Sequence, residues 1–459
     1  MTTFLDPTSP SAPSSTVMTT LELIDLAITD SVLVYGSLPP HGRDFDLLAR
    51  PVERAALREA LLDAGFLGSD GLFVRFRPEQ AEAVELTSVG AWGLPPQELN
   101  RLFADARPLP GAQRVARPAP WHALLITARR VARKRALPDK LRARVATALA
   151  EEPDAWRIAR DHAPAWNATH ALRVLEDAYR GDGHIPATAR WRATTERIGW
   201  PGARPLRTQA RMLRSLFPRP HRTRVVTLSG LDGAGKSSQA ALVKSALEVA
   251  GRDVVVIWRG IGAERTLDRI KAPLKRILHA MPRVGPWAEV VDRVQTERTT
   301  GRTPFADPGS SKRSRGKSVT LIMYAWAATV AAINVWTLYR AALPHLGRGR
   351  IIIFDRYTLD STVKLKHFYG DNTATRLLAR LIYAVTIRPI RAYFLDVPPQ
   401  VAYDRKPEWE MDDLETRAEL YRAEYSWLQV QRLDATRPTH ELAAEIAADI
   451  WRALVRKGQ

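Results

Sequence analysis

The most constraining feature of this 459-residue sequence is a glycine-rich segment, Gly230-Leu-Asp-Gly-Ala-Gly-Lys-Ser237. It follows an apolar run that predicts a strand and precedes a stretch that predicts a helix. Glycines at these positions let successive backbone N–H groups turn toward an anion, and the helix N-terminus adds partial positive charge. A strand, loop and helix in this order match the pattern G-x-x-x-x-G-K-[ST]. The segment therefore predicts an α/β fold with a phosphate-binding loop.

Each part of this loop has a predicted role in binding ATP. The Lys236 ammonium is a point charge placed to reach the β and γ phosphates, and the Ser237 hydroxyl is a suitable ligand for Mg²⁺. The glycines let the backbone approach the phosphates closely. The predicted ATP-binding residues are therefore Gly230, Gly233, Gly235, Lys236, Ser237 and Ser238.

A second apolar run, Ile351-Ile-Ile-Phe, leads directly into Asp355 and Arg356. Ligands of open parallel sheets collect at the carboxyl ends of the strands, so this pair is expected beside the glycine loop. There Asp355 would help to hold Mg²⁺ and Arg356 would contact a phosphate. The alternative is that the pair only caps the strand.

Short apolar or β-branched runs alternate with helical stretches from the glycine loop to the end of the chain. This alternation predicts a five-stranded parallel sheet flanked by helices. The five predicted strands are Arg224–Ser229, Asp253–Trp258, Ile351–Asp355, Arg391–Val397 and Val430–Asp434.

These motifs together resemble the thymidylate kinase family over about Thr223 to Leu454. Besides the glycine loop, they are Phe-Asp-Arg-Tyr at Phe354–Tyr357, FLDVPPQVAYDRK at Phe394–Lys406, and LDATRP near the last strand. The resemblance implies an ATP- and Mg²⁺-dependent phosphotransferase that acts on a nucleoside monophosphate such as dTMP, or on another small anionic acceptor.

The resemblance also implies roles for individual residues. Asp232 and Arg356 would lie near the acceptor, and Arg405 and Lys406 would belong to a lid over the transferring phosphate. The loop itself contains no arginine, so those lid cations or Arg417 would supply the charge that stabilises the transition state. The implied catalytic set is Lys236, Asp355, Arg356, Arg405 and Asp232.

The chain departs from that family at two places. After the second predicted strand it reads Trp258-Arg-Gly-Ile-Gly262, where the family has a loop of the type Thr-Arg-x-Pro-Gly-Gly. Counting back from Asp355 without gaps, the family's base-contacting arginine falls near Asn334. Phosphoryl transfer is therefore the firmer implication, and dTMP as the acceptor the weaker one.

The N-terminal part carries a different set of motifs. A predicted strand leads into Gly36-Ser37, and Asp44 and Asp46 follow on one face of the next strand. Glu85, on a further predicted strand, would complete a set of three carboxylates that suits two-metal nucleotidyl transfer. This pattern resembles the nucleotidyltransferase superfamily and implies a second Mg²⁺ site. The alternative is that Asp44 forms a turn with Arg43 while Asp46 is merely solvated.

Composition limits the remaining function classes. The chain has no cysteine, which excludes disulfides, thiol nucleophiles and cysteine-ligated metals. Its net charge is +19, and residues 262–317, with 13 Lys and Arg against 6 Asp and Glu, carry +7 of it. Because no nucleic-acid-binding motif accompanies this charge, the expected partner is a small phosphorylated substrate rather than nucleic acid.

The predicted organisation has five parts. They are a disordered leader (1–20), an α+β nucleotidyltransferase-like domain (21–115), a helical companion (116–199), a linker (200–222) and a kinase-like domain (223–459). The uncharged segment 319–339 is long enough to span a membrane, but its position within the α/β domain favours a buried helix. The protein is expected in the cytoplasm, and a homodimer is one oligomeric state that the sequence allows. Nucleotidyl transfer by the N-terminal domain and a non-catalytic ATP-binding regulator remain as alternative functions.

Overall fold

A computed structural model describes residues 15–38, 44–69, 71–78, 80–131, 134–198, 224–258, 328, 332, 335–346 and 349–456. The chain divides into two compact units. The first contains Met1–Arg75 and Glu82–Arg219, and the second contains Phe76–Ala81 and Pro220–Gln459.

The first unit contains a mixed sheet with the strand order β3-β4-β5-β2-β1-β7-β6. β2 runs parallel to β5 and antiparallel to β1. The strands are β1 Val32–Val34, β2 Phe45–Ala49, β3 Leu67–Ser69, β4 Leu72–Phe76, β5 Ala81–Ser88, β6 Arg107–Pro108 and β7 Val115–Arg117. The helices are α1 Ser15–Ala27, α2 Pro51–Asp63, α3 Pro96–Ala104, α4 Pro120–Val131, α5 Asp139–Glu151, α6 Ala155–His162, α7 Thr169–Arg180 and α8 Ala187–Ile198.

The structure corrects the predicted leader at its C-terminal end. Helix α1 begins at Ser15, so the last residues of the segment 1–20 are helical. Leu21 and Ile24 of this helix, and Ile28 directly after it, are buried in the core, which ties the helix to the sheet. Thr20 is also buried and donates a hydrogen bond to Glu82 at 3.0 Å.

The helices α4 to α8 and the sheet share one hydrophobic core. Leu33 of β1 and Leu48 of β2 lie in the same buried cluster as Trp156 and Trp166 of the helical part. The predicted α+β domain and its helical companion are therefore parts of one compact unit.

A buried histidine makes this core sensitive to acid. His122 is fully buried on α4, its ring centroid lies 3.4 Å from that of Trp121, and neither ring nitrogen has a hydrogen-bond partner among the described residues. Burial, together with the charges of His162 and Arg101, lowers the pKa of His122 from 6.5 to about 3. The native state must therefore keep this ring neutral where the unfolded chain would protonate it.

We expect this stability to be fully present above about pH 6.5 and to be lost as the pH falls toward about 3. At pH 4.5 the free energy of unfolding is lower by about 2 to 3 kcal/mol, because the unfolded chain binds a proton at His122. Urea unfolding between pH 7.5 and pH 4.5 should show that His122→Phe loses less stability on acidification than the wild type, by about this amount. The control is His170→Gln, at an exposed position on α7. Equal losses in both variants would contradict the assignment.

The second unit contains the predicted parallel sheet, with the strand order β12-β11-β8-β10-β9. Every pairing in it is parallel. The strands are β8 Arg224–Gly230, β9 Val254–Trp258, β10 Ile351–Asp355, β11 Arg391–Asp396 and β12 Gln431–Asp434. The helices that flank the sheet are α9 Lys236–Val249, α10 Thr358–Tyr369, α11 Thr373–Val385, α12 Pro399–Arg405, α13 Met411–Glu424 and α14 Thr439–Arg456.

Some sequence predictions fall outside the described residues. They are the linker 200–222, the basic insertion 262–317, Asn334 and most of the uncharged segment 319–339. Within the described part of the chain, no helix is both long and apolar enough to cross a membrane.

Candidate functional sites

The glycine loop joins β8, at the centre of the parallel sheet, to α9. Gly235 caps the helix with a left-handed φ of 85°. Gly233 also has a positive φ, of 88°, and a Cβ atom there would lie 2.3 Å from the backbone oxygen of Ala402 in α12. Because backbone atoms cannot move aside cheaply, only glycine fits at Gly233.

Lys236 is held inside the loop. It is 6% exposed, and its ammonium donates hydrogen bonds to the backbone oxygens of Gly230 at 2.9 Å and Leu231 at 2.7 Å. Burial, together with the nearby Arg356 cation, lowers its pKa. A phosphate entering the loop would offer this ammonium a stronger, charged acceptor.

Ser237 and Asp355 meet beside the loop because β8 and β10 are neighbours in the sheet. The Ser237 hydroxyl donates to one Asp355 carboxylate oxygen at 2.5 Å. The other carboxylate oxygen is buried and has no hydrogen-bond partner among the described residues. A hydroxyl and a carboxylate oxygen are typical magnesium ligands, so these residues fit Mg²⁺.

Arg356 and Asp232 form an ion pair next to Lys236. Arg356 has a positive φ of 81°, which is uncommon for a residue other than glycine. The second oxygen of Asp232 accepts a hydrogen bond from the indole nitrogen of Trp409 at 3.1 Å. Burial opposes ionisation of Asp232, but the cations of Lys236 and Arg356 outweigh it and lower the pKa of this carboxyl.

Asp360 organises the same region, although the sequence analysis did not single it out. Its carboxylate accepts hydrogen bonds from the Ser229 hydroxyl at 2.6 Å, the Tyr357 backbone nitrogen at 2.8 Å and the Tyr421 hydroxyl at 2.8 Å. These bonds join β8, the start of α10, and α13.

The two predicted lid cations have other partners. Arg405 is exposed at the end of α12, and its described hydrogen bond goes to the backbone oxygen of Ala435 at 3.4 Å. Lys406 pairs with Glu408 at 3.0 Å. Ser238, predicted to bind ATP, lies exposed in the first turn of α9. Arg417, also named as a source of positive charge, acts on Asp232 of the loop, and its guanidinium carbon lies 3.6 Å from the centroid of the Trp409 ring.

The first unit brings its three predicted metal ligands together. Asp44, Asp46 and Glu85 each place an oxygen within 4.8 Å of the others. Asp46 and Glu85 are register partners on β2 and β5, which explains why they share a face. A Cβ atom at Gly36 would lie 2.1 Å from an Asp46 carboxylate oxygen, so this glycine leaves the space that the carboxylate occupies.

Two arginines from the helical part border this carboxylate cluster. Arg130 of α4 lies 3.2 Å from an Asp46 oxygen, and Arg144 of α5 donates to the Ser37 hydroxyl at 2.9 Å. Partial desolvation, together with the carboxylates of Asp46 and Asp44, raises the pKa of Glu85. The cluster therefore carries concentrated negative charge, with cations at its border.

About half of the chain resembles thymidylate kinases. It is 26% identical over 241 residues to the thymidylate kinase of Bordetella petrii, covering 50% of this chain and 95% of that protein. It is 25% identical over 237 residues to that of Bifidobacterium longum, covering 49% and 96%, respectively. A segment of 85 residues is 36% identical to the enzyme of Clavibacter michiganensis, covering 18% of this chain and 40% of that enzyme. No family model matches the chain.

These identities support a thymidylate-kinase-like, nucleotide-binding region. The second unit has the length of the two longer alignments, and it contains the glycine loop and the parallel sheet. The comparisons and the fold therefore indicate a kinase-like enzyme over about half of the chain.

Proposed function

We propose that the second unit is an ATP- and Mg²⁺-dependent phosphotransferase acting on a small phosphorylated acceptor, a nucleoside monophosphate such as dTMP or another small anion. The observation that carries the proposal is the meeting of Lys236, Ser237 and Asp355 at one end of a parallel sheet. Positioning and charge stabilisation account for most of phosphoryl-transfer catalysis, and this arrangement supplies both.

Each residue has a definite task in this proposal. Lys236 exchanges its backbone acceptors for the β and γ phosphates of ATP. Ser237 and Asp355 would hold Mg²⁺, which neutralises phosphate charge when bound. Arg356 and Asp232 lie where an acceptor would meet the γ phosphate.

ADP release with a panel of acceptors, dTMP first, tests this proposal. We expect acceptor-dependent ADP release that requires Mg²⁺. If ATP raises the melting temperature but no acceptor yields ADP, the non-catalytic ATP-binding regulator becomes the better description. Absence of both effects would refute nucleotide binding altogether.

A second candidate function concerns the first unit. We propose that it transfers a nucleotidyl group, because Asp44, Asp46 and Glu85 converge beside Gly36 and Ser37. The three carboxylates suit two divalent ions, and Arg144 holds the Ser37 hydroxyl at the border of the cluster. Release of pyrophosphate from a nucleoside triphosphate is the measurement that tests this function.

A further inference from the structure

Helices α10 and α13 pack against each other in antiparallel directions. Asp360 near the start of α10 accepts a hydrogen bond from Tyr421 near the end of α13 at 2.8 Å. Further along α10, His367 lies 3.6 Å from Asp413 near the start of α13. These two contacts fix the register of the helix pair.

Lys364 and Arg417 lie between these two contacts along the helix pair. Lys364 is four residues after Asp360, and Arg417 is four residues before Tyr421. Residues four apart lie on the same helix face, so the two cations face each other between the two contacts. Arg417 is 8% exposed, whereas Lys364 is exposed to solvent.

Neither cation has a hydrogen bond or an ion pair within the described part of the chain. The described contact of the Arg417 guanidinium is the stacking on Trp409. Three carboxylates lie nearby. Asp360 accepts from Tyr421, and Asp232 pairs with Arg356 and accepts from Trp409. Asp413, whose charge favours the Arg417 cation, lies beside His367 and forms no described ion pair with Arg417. A buried guanidinium that no carboxylate pairs with directly is costly, and a second cation opposite it adds repulsion.

The electrostatics of the two groups agree with this geometry. Lys364 is exposed as a residue, but its ammonium group is desolvated, and this desolvation together with the cations of Arg356 and Arg417 lowers its pKa. Burial also lowers the pKa of Arg417. For both groups desolvation outweighs the attraction of the nearby carboxylates, and a bound anion would add negative charge beside them.

The pair is connected to the glycine loop through one side chain. Trp409 stacks on Arg417 and donates its indole N–H to Asp232 of the loop. We propose that Lys364 and Arg417 together bind the phosphate group of the acceptor, with Trp409 holding the Arg417 guanidinium in place. This inference rests on the proposed phosphotransferase function, and it adds two cations, from α10 and α13, to the acceptor region where the resemblance placed Asp232 and Arg356.

Titration calorimetry of the full chain with inorganic phosphate tests the inference. A non-hydrolysable ATP analogue with Mg²⁺ first fills the glycine loop, and the titration is repeated without it. We expect Lys364→Met and Arg417→Met each to weaken phosphate binding by about tenfold or more, since each removes a charged donor. Lys364 is exposed, so its variant tests the inference even if Arg417→Met fails to fold.

The matched control is Lys244→Met, which removes an exposed lysine that pairs with Glu248 on α9. It should bind phosphate as the wild type does. Phosphate affinities of Lys364→Met and Arg417→Met within twofold of the wild type would overturn the inference, even in an active kinase. Conversely, phosphate binding that depends on Lys364 and Arg417 in a protein that never forms ADP would support the anion site and refute the proposed function.

Discussion

Replacing Lys236 by alanine is expected to lower ATP-dependent phosphoryl transfer by about a thousandfold or more. The side chain is buried within the loop, and its ammonium is held by the backbone oxygens of Gly230 and Leu231. Alanine leaves the β and γ phosphates without this positive charge, and no other lysine of the loop can replace it. The rate of ADP formation at saturating acceptor measures the loss.

This variant should lose activity without losing stability. Lys236 has a pKa lowered chiefly by burial, so its positive charge is disfavoured in the folded loop when no phosphate is bound. Removing it should therefore leave the melting temperature without ATP close to that of the wild type, or above it. The ATP-induced rise of the melting temperature should disappear.

The control is Lys244→Ala on the same helix, where an exposed lysine lies 3.8 Å from Glu248. Its expected effect on both rate and stability is small, because exposed ion pairs contribute little. Full turnover in Lys236→Ala would contradict the phosphotransferase assignment, and equal losses in both variants would show that the assay does not report on the loop.

The parallel sheet of the second unit could be predicted because its signals are local. Each strand is a short apolar run, and the observed bounds differ from the predicted ones by a single residue or less at each end. β10 was predicted without error at Ile351–Asp355. The loop was equally predictable, since Gly233 and Gly235 are required by backbone geometry within a few residues of sequence.

The contacts that connect these elements were not predictable in the same way. Asp360, Trp409 and Lys364 belong to no local motif. Asp360 binds Tyr421, and Trp409 binds Asp232, across elements that are far apart in the sequence. The lid role of Arg405 came from the resemblance and stays a prediction; its described hydrogen bond goes to the backbone oxygen of Ala435. Residue spacing predicts which side chains share a face of one helix or strand. Contacts between two helices depend on how the helices pack, which spacing does not specify.

The carboxylate site of the first unit was predictable in part. Asp44 and Asp46 were predicted on one face because a strand alternates with period two. β2 contains Asp46 and begins at Phe45, so Asp44 lies one residue before the strand. Glu85 joins them because β2 and β5 pair in parallel, which no local pattern specifies. Arg130 and Arg144 were missed, since they come from helices that contribute to the site only through the shared core.

Replacing Asp46 by asparagine is the most disruptive change expected in the first unit. Asp46 contributes an oxygen to the carboxylate cluster and pairs with Arg130 at 3.2 Å. Asparagine removes one negative charge from a group that, in the proposed function, offsets two divalent cations, so the proposed nucleotidyl transfer should fall by at least about a hundredfold. Pyrophosphate release from nucleoside triphosphates measures the rate, and Mn²⁺ titration measures metal affinity independently of activity.

Gly36→Ala tests whether the position of the Asp46 carboxylate matters as well as its charge. The added Cβ would lie 2.1 Å from the Asp46 oxygen, so the carboxylate must move while its charge remains. We expect weaker Mn²⁺ binding in Gly36→Ala as well as in Asp46→Asn, and unchanged binding in Asp63→Asn, which alters an exposed carboxylate at the end of α2. If only Asp46→Asn weakened Mn²⁺ binding, the charge of the carboxylate would be sufficient for metal binding without its fixed position. Retention of Mn²⁺ binding in both site variants would leave the three carboxylates as a solvated acidic surface.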